Sequence, residues 1–175
     1  MLIVHAVQKL LTASGIEAKS YISEPSPDQM MHAWYARLVA TGFVGRQLVM
    51  YVHQPSLLLV LTRGKSLNTT LPVFHKRLAD LLERQHFKPL FIEREIELIK
   101  EGYVVGKTSS RSMLASMNAI IENIEAVCRR QSSYGAINLD GIEDTYLDWL
   151  TYDSRLRKYL VTKDYWIERG VLDKI

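Results

Sequence analysis

The sequence holds a single cysteine, Cys128, in 175 residues. One thiol excludes an intramolecular disulfide and leaves a cysteine-based zinc site without ligands. Its five histidines show no H-x-x-x-H, H-E-x-x-H or H-x-H spacing, so no metal is expected. There is no Gly-rich loop of the G-x-x-x-x-G-K-S kind and no G-x-S-x-G elbow, the two signals that would have pointed to a nucleotide phosphate or a nucleophilic serine. With no cofactor motif, no cofactor is expected. No apolar run is long enough to cross a bilayer. The opening MLIVHAVQKLL has no basic residue ahead of it and no small-residue cleavage site after it, which argues against a signal peptide. A cytoplasmic, non-membrane protein is expected, and no repeat or low-complexity tract interrupts it.

Charge of one sign is also scarce. Lysine and arginine exceed aspartate and glutamate by 22 to 19, a formal charge of +3. Residues 1–108 carry 13 basic against 9 acidic groups, and residues 132–175 carry 6 against 8. Along the sequence the excess forms no arm or stripe, so nucleic acid is a weakly supported partner. Hydrophobic residues make up 47% and charged residues 23%, the balance of a folded globular chain.

What is present is a sequence of elements. Met1–Val7 reads as a buried strand and Gln8–Ser14 as a short helix stopped by Gly15. Ser23–Gln29 reads as a loop. Three strands follow at close spacing: Met31–Ala40, Arg46–His53 and Leu57–Thr62, an antiparallel meander by their short connections. The third is apolar on both faces and is expected to be central. Leu71-Pro72 opens a helix carrying Phe74, Leu78, Leu81 and Leu82, with the proline in its first turn. Pro89–Gly102 is a second helix and Tyr103–Thr108 a further strand.

The longest helix follows. At 100° per residue, Met113, Leu114, Met117, Ile120, Ile121, Ile124, Val127 and Cys128 share an arc of about 140°. Arg111, Asn118, Glu122, Glu125 and Arg129 lie opposite, and Cys128 reads as a small core residue. Residues 131–175 are acidic and aromatic, with IEDTYLDWL a helix and RLRKYLV and DYWIERGVL shorter elements. The order implies an α+β fold: a mainly antiparallel sheet of about five strands with helices on one face. The expected division is a core domain over residues 1–130 and a C-terminal extension over 131–175, packed on the core or on a partner.

Three motifs carry a resemblance. W-x-A-x-L at Trp34, Ala36 and Leu38, L-P-x-F at Leu71 to Phe74, and S-R-S-x-L-x-S-M-N at Ser110 to Asn118 resemble a bacterial domain family of unknown function. The N-terminal MLIVHAVQKLL is similar to the way its members begin. The resemblance spans residues 1–130, and the last motif is the most specific. The chain departs from the pattern at Arg37, where Asn is usual, at Ala115, where Gly is usual, and at Ala119, where an acidic residue is usual. The family implies no activity, so the resemblance bears on domain limits and not on mechanism.

The Ser-Arg-Ser stretch is the best candidate site. A helix N-terminus presents free N–H groups and partial positive charge. With Lys107 and Arg111 beside Ser110 and Ser112, it could hold a phosphate or carboxylate. The plainer reading is that Ser109 or Ser110 caps the helix and Arg111 pairs with a carboxylate. Asn118 could contact a ligand or bond to a neighbouring loop. Arg37 falls on the strand face opposite Trp34, where it could join a binding surface. The expectation is a non-catalytic binding or interaction domain using Lys107, Ser110, Arg111, Ser112, Asn118 and Arg37, with another protein, an anionic ligand or a second copy as its partner. The alternatives are an enzyme acting on a phosphate-bearing substrate, with a histidine as base, and a nucleic-acid-binding regulator.

Overall fold

A computed structural model of the chain describes residues 1–20, 22, 29–153 and 157–173. The expected loop at 23–29 lies outside the described residues except for Gln29. The elements run β1 (Leu2–Ala6), α1 (Gln8–Ser14), β2 (Ala33–Ala40), β3 (Gln47–His53), β4 (Leu59–Arg63), α2 (Leu67–Arg84), α3 (Pro89–Lys100), β5 (Tyr103–Lys107), α4 (Arg111–Arg129), a 3-10 turn (Tyr134–Ala136), α5 (Leu139–Leu147), β6 (Leu150–Asp153), β7 (Lys158–Val161) and α6 (Thr162–Glu168). β1 to β5 form one sheet in the order β4-β3-β2-β1-β5, and β6 pairs with β7. The fold is α+β, as the element order implies. The meander β2-β3-β4 is antiparallel, while β1 lies parallel to both β2 and β5.

Helices cover both faces of this sheet, not one. Strand side chains alternate. Val4, Trp34, Ala36, Val49, Tyr51 and Val60 share a cluster with Leu10, Phe74, Leu78, Ile96 and Trp166. Tyr35, Val39, Met50, Leu59 and Leu61 share another with Met113, Met117, Ile124, Ile142 and Tyr146. β3 and β4 are apolar on both sides, and two layers of helix are what bury them.

Two further expectations change. β4 is the edge strand rather than the central one. It is buried because α2 and α5 close its edge. The Leu61 N–H donates to Glu143 Oε1 at 2.8 Å, and Arg77 Nε donates to the Leu61 carbonyl at 3.2 Å. Side chains thereby satisfy backbone groups that an edge strand otherwise leaves open. The helix expected from Leu71 begins a turn earlier, at Leu67, so Pro72 sits inside it. Pro72 is exposed, and the turn before it is held by Thr69 and Thr70, whose hydroxyls donate to the Ser66 carbonyl at 3.0 and 2.8 Å.

The long helix α4 matches its expected arc with two exceptions. Met113, Met117, Ile120, Ile121, Ile124 and Cys128 are buried, but Leu114 is half-buried and Val127 exposed. Both line surface depressions at the flanks of the helix. Burial pushes the Cys128 thiol up from its ordinary value, in keeping with a core residue. In residues 131–175, Trp166 is fully buried in the core formed by α2, α3 and the sheet, and Tyr146 in that formed by α4.

Candidate anion-binding site

Strand direction positions the site. β1, β2 and β5 run parallel, and β4 shares their direction because β3 is antiparallel to both β2 and β4. The carboxyl-terminal ends of four strands therefore meet at one edge of the sheet. From that edge α1 leaves β1 toward one face and α4 leaves β5 toward the other, as their cluster partners show. Neighbouring parallel strands whose helices diverge to opposite faces leave a crevice beyond their ends.

β2 deepens the crevice. Its pairing with β1 stops at Ala36, so Arg37 to Ala40 continue without that neighbour. Residues on both sides of this free stretch can line one depression. A cleft of about 450 Å³ lies there, with Val7, Leu38, Leu114 and Ile121 as apolar walls and Lys9, Arg37, Asn118 and Glu125 as polar groups. Arg37 Nη1 donates to Asn118 Oδ1, which ties β2 to α4 across 81 residues of sequence. Two of the expected residues are thus brought together. Glu125 is engaged: its Oε1 accepts from the Ala40 N–H at 3.2 Å, and Oε2 lies 3.8 Å from Arg129.

The other four lie between the end of β5 and the first turn of α4. Ser110 is the N-cap, its Oγ accepting from the Met113 N–H at 3.3 Å. The plainer reading of this serine therefore describes its geometry. Ser110 and Ser112 hydroxyls hydrogen-bond at 3.0 Å. Arg111 is exposed and forms no ion pair among the described residues, so the expected carboxylate partner is not found there. Lys107 ends β5 exposed. Its carbonyl accepts from His5 Nδ1 at 3.1 Å, and His5 stacks on Tyr35 with ring centroids 4.8 Å apart. A carbonyl can only accept, so Nδ1 carries the proton and Nε2 is left as the acceptor in the neutral ring.

Lys9 and Glu125 escaped the sequence reading. Lys9 lies in the first turn of α1, three residues past the end of β1, and once β1 is set parallel to β2 with Ala6 opposite Ala36, its place in the cleft with Arg37 follows. That pairing is long-range and leaves no trace in local periodicity. Among the described residues no group of three or more metal-ligating side chains occurs, and no helix is long and apolar enough to cross a membrane.

Comparison with curated proteins finds no match. A family model described as a domain of unknown function, DUF6933, matches residues 3–166. The match starts in β1 and ends in α6, taking in every strand of both sheets, and with that extent the chain belongs to the DUF6933 family.

Proposed function

We propose that this domain is a non-catalytic binding module that takes an anionic group in the cleft between α1, β2 and α4. The observation that carries the reading is the pairing of Lys9 and Arg37 beside Asn118 in an open cleft whose one lining carboxylate among the described residues, Glu125, already has partners. Lys9 and Arg37 outnumber Glu125, whose charge is shared with Arg129, and a recess with this excess of positive charge over apolar walls favours a small phosphate or carboxylate. Arg37 supplies a planar fork of donors and Lys9 a mobile point charge. Lys107 and Arg111 add positive charge at the same edge.

The catalytic alternative needs a base within reach of a nucleophile. Ser112 has Ser110 as its hydroxyl partner, not a histidine or carboxylate. The observation that favours an enzyme is His5. Its ring is held by Lys107 and Tyr35, with Nε2 left as an acceptor. This is the arrangement a general base would need for a phosphate-bearing substrate.

Calorimetric titration with pyrophosphate tests the binding reading. Saturable binding is expected, weakened tenfold or more by Lys9→Gln combined with Arg37→Gln. Absence of binding, or binding indifferent to both changes, would defeat it. Hydrolysis of pyrophosphate that is abolished by His5→Ala would instead establish the enzyme reading.

A further inference from the structure

Basic residues that are scattered in sequence meet in space at the carboxyl-terminal edge of the sheet. Lys9 follows β1. Arg46 closes the turn between β2 and β3. Lys65 stands two residues past β4, and Lys107 ends β5 with Arg111 opening α4. All five side chains are exposed. Arg63, the last residue of β4, donates to the Tyr134 and Ile137 carbonyls at 2.6 and 2.8 Å and lies over the Tyr134 ring. It contributes charge to the edge, though its donors are largely engaged. Among the described residues, Glu125 is the carboxylate that lines the depressions of this edge, and it is engaged by Ala40 and Arg129.

The edge is also concave. A second depression of about 330 Å³, lined by the turn from Ala40 to Gln47 and by Lys65, adjoins the cleft at Arg37. The two meet at the Ala40–Glu125 hydrogen bond, since Ala40 lines one and Glu125 the other. At about 4.8 Å between strands, the four steps from β4 to β5 extend the charged edge over roughly 19 Å. Opposite charge gathers elsewhere. The groove between α2 and α3 carries Glu83, Glu93 and Glu97 against Lys100.

We propose that this whole edge is a docking groove for single-stranded nucleic acid, with the cleft at Lys9 and Arg37 holding one phosphate and Arg46, Lys65, Lys107 and Arg111 meeting its neighbours along the backbone. The proposal rests on the anion-binding reading of the cleft and gives that site its partner. A line of cations along a groove fits a linear chain of phosphates better than it fits a flat anionic membrane. One small anion would use two of these cations and leave the rest without a role. Recognition of this kind is electrostatic and tolerant of sequence.

The test is fluorescence anisotropy with a labelled oligouridylate of about a dozen nucleotides, titrated at several salt concentrations, beside calorimetry with pyrophosphate and pelleting with vesicles of phosphatidylserine and phosphatidylcholine. Binding is expected to weaken steeply with salt, with a log–log slope of about −3 if four or so phosphates are contacted. Arg46→Gln with Lys65→Gln, both outside the cleft, should weaken oligonucleotide binding about fivefold or more and flatten the slope by about one unit, while pyrophosphate binding stays unchanged. Lys107→Gln with Arg111→Gln is the parallel variant should the first pair fail to fold. Lys88→Gln with Lys100→Gln, which removes the same charge elsewhere, should leave binding as it was.

Pyrophosphate binding without oligonucleotide binding would overturn the groove and leave the cleft reading standing. Loss of both would overturn both. Oligonucleotide binding weakened equally by the Lys88 and Lys100 changes would reduce the effect to net charge and overturn the proposal. Vesicle binding that depends on Arg46 and Lys65, with no oligonucleotide binding, would assign the edge to a membrane surface instead.

Discussion

His53 ends β3 with its side chain fully buried between Trp34 and Trp166. Nε2 donates to the Met30 carbonyl at 2.9 Å, so the neutral ring accepts the Ser56 hydroxyl proton at Nδ1, 2.7 Å away. Burial pushes its pKa from 6.5 down to about 3, with His32 and Arg169 adding to the fall and the Met30 bond opposing it. The unfolded chain therefore takes up a proton near 6.5 that the folded chain refuses. This contribution to stability is complete above 6.5 and is lost as the pH falls from there toward 3, by about 1.4 kcal/mol per unit. Urea unfolding of the wild type and of His53→Gln between pH 7 and pH 4 checks it. The stability advantage of the wild type should shrink as the pH falls; an advantage constant with pH would show that His53 is not held neutral. The place of His53 in the sheet is legible in the sequence, since it closes the strand expected over Arg46–His53. The identities of Met30 and Ser56 as its partners depend on how the chain before β2 and the turn after β3 close around it.

Glu143 does for the elements what His53 does for one pocket. It is buried in α5, yet it accepts from the Leu61 N–H of β4 and from Arg77 and Arg84 of α2 at 2.8 and 3.0 Å. Burial pushes its carboxyl up, while those donors pull it down. Removing the carboxylate by Glu143→Ala would orphan the Leu61 N–H and uncouple three elements. Arg77 and Arg84 are about a quarter exposed and would keep some water. A loss of about 3 kcal/mol is expected by urea denaturation, against less than about 1 kcal/mol for Asp144→Asn, a more exposed partner of Arg84. Equal small effects would show that the edge of β4 does not depend on this tie. Local signals read well at this scale. Ser110 caps α4, Gly15 stops α1 in a left-handed conformation, and the arc of α4 is the buried face. The signals misled where a long-range contact overrides a local one. Pro72 suggested a helix start, but the two threonines before it carry the helix through. β4 looked central because charged side chains from two helices seal an edge that its own sequence does not mark.

Across the whole molecule, the order of the sheet decides the function proposed here. Placing β1 between β2 and β5 turns four strand ends toward one edge and collects cations that are distant in sequence. The sequence count by region averages over this arrangement and therefore shows no stripe. Arg37 and Asn118 were legible as polar residues on outward faces, but their meeting was not, because it depends on α4 lying along the free end of β2. The central claim is that an anion sits in the cleft between α1, β2 and α4. Its most direct test is to follow backbone amide resonances of the labelled protein during titration with pyrophosphate. The account predicts shifts that saturate together at Lys9, Leu38, Leu114 and Asn118. No shifts, or shifts gathered at the groove between α2 and α3, would contradict it.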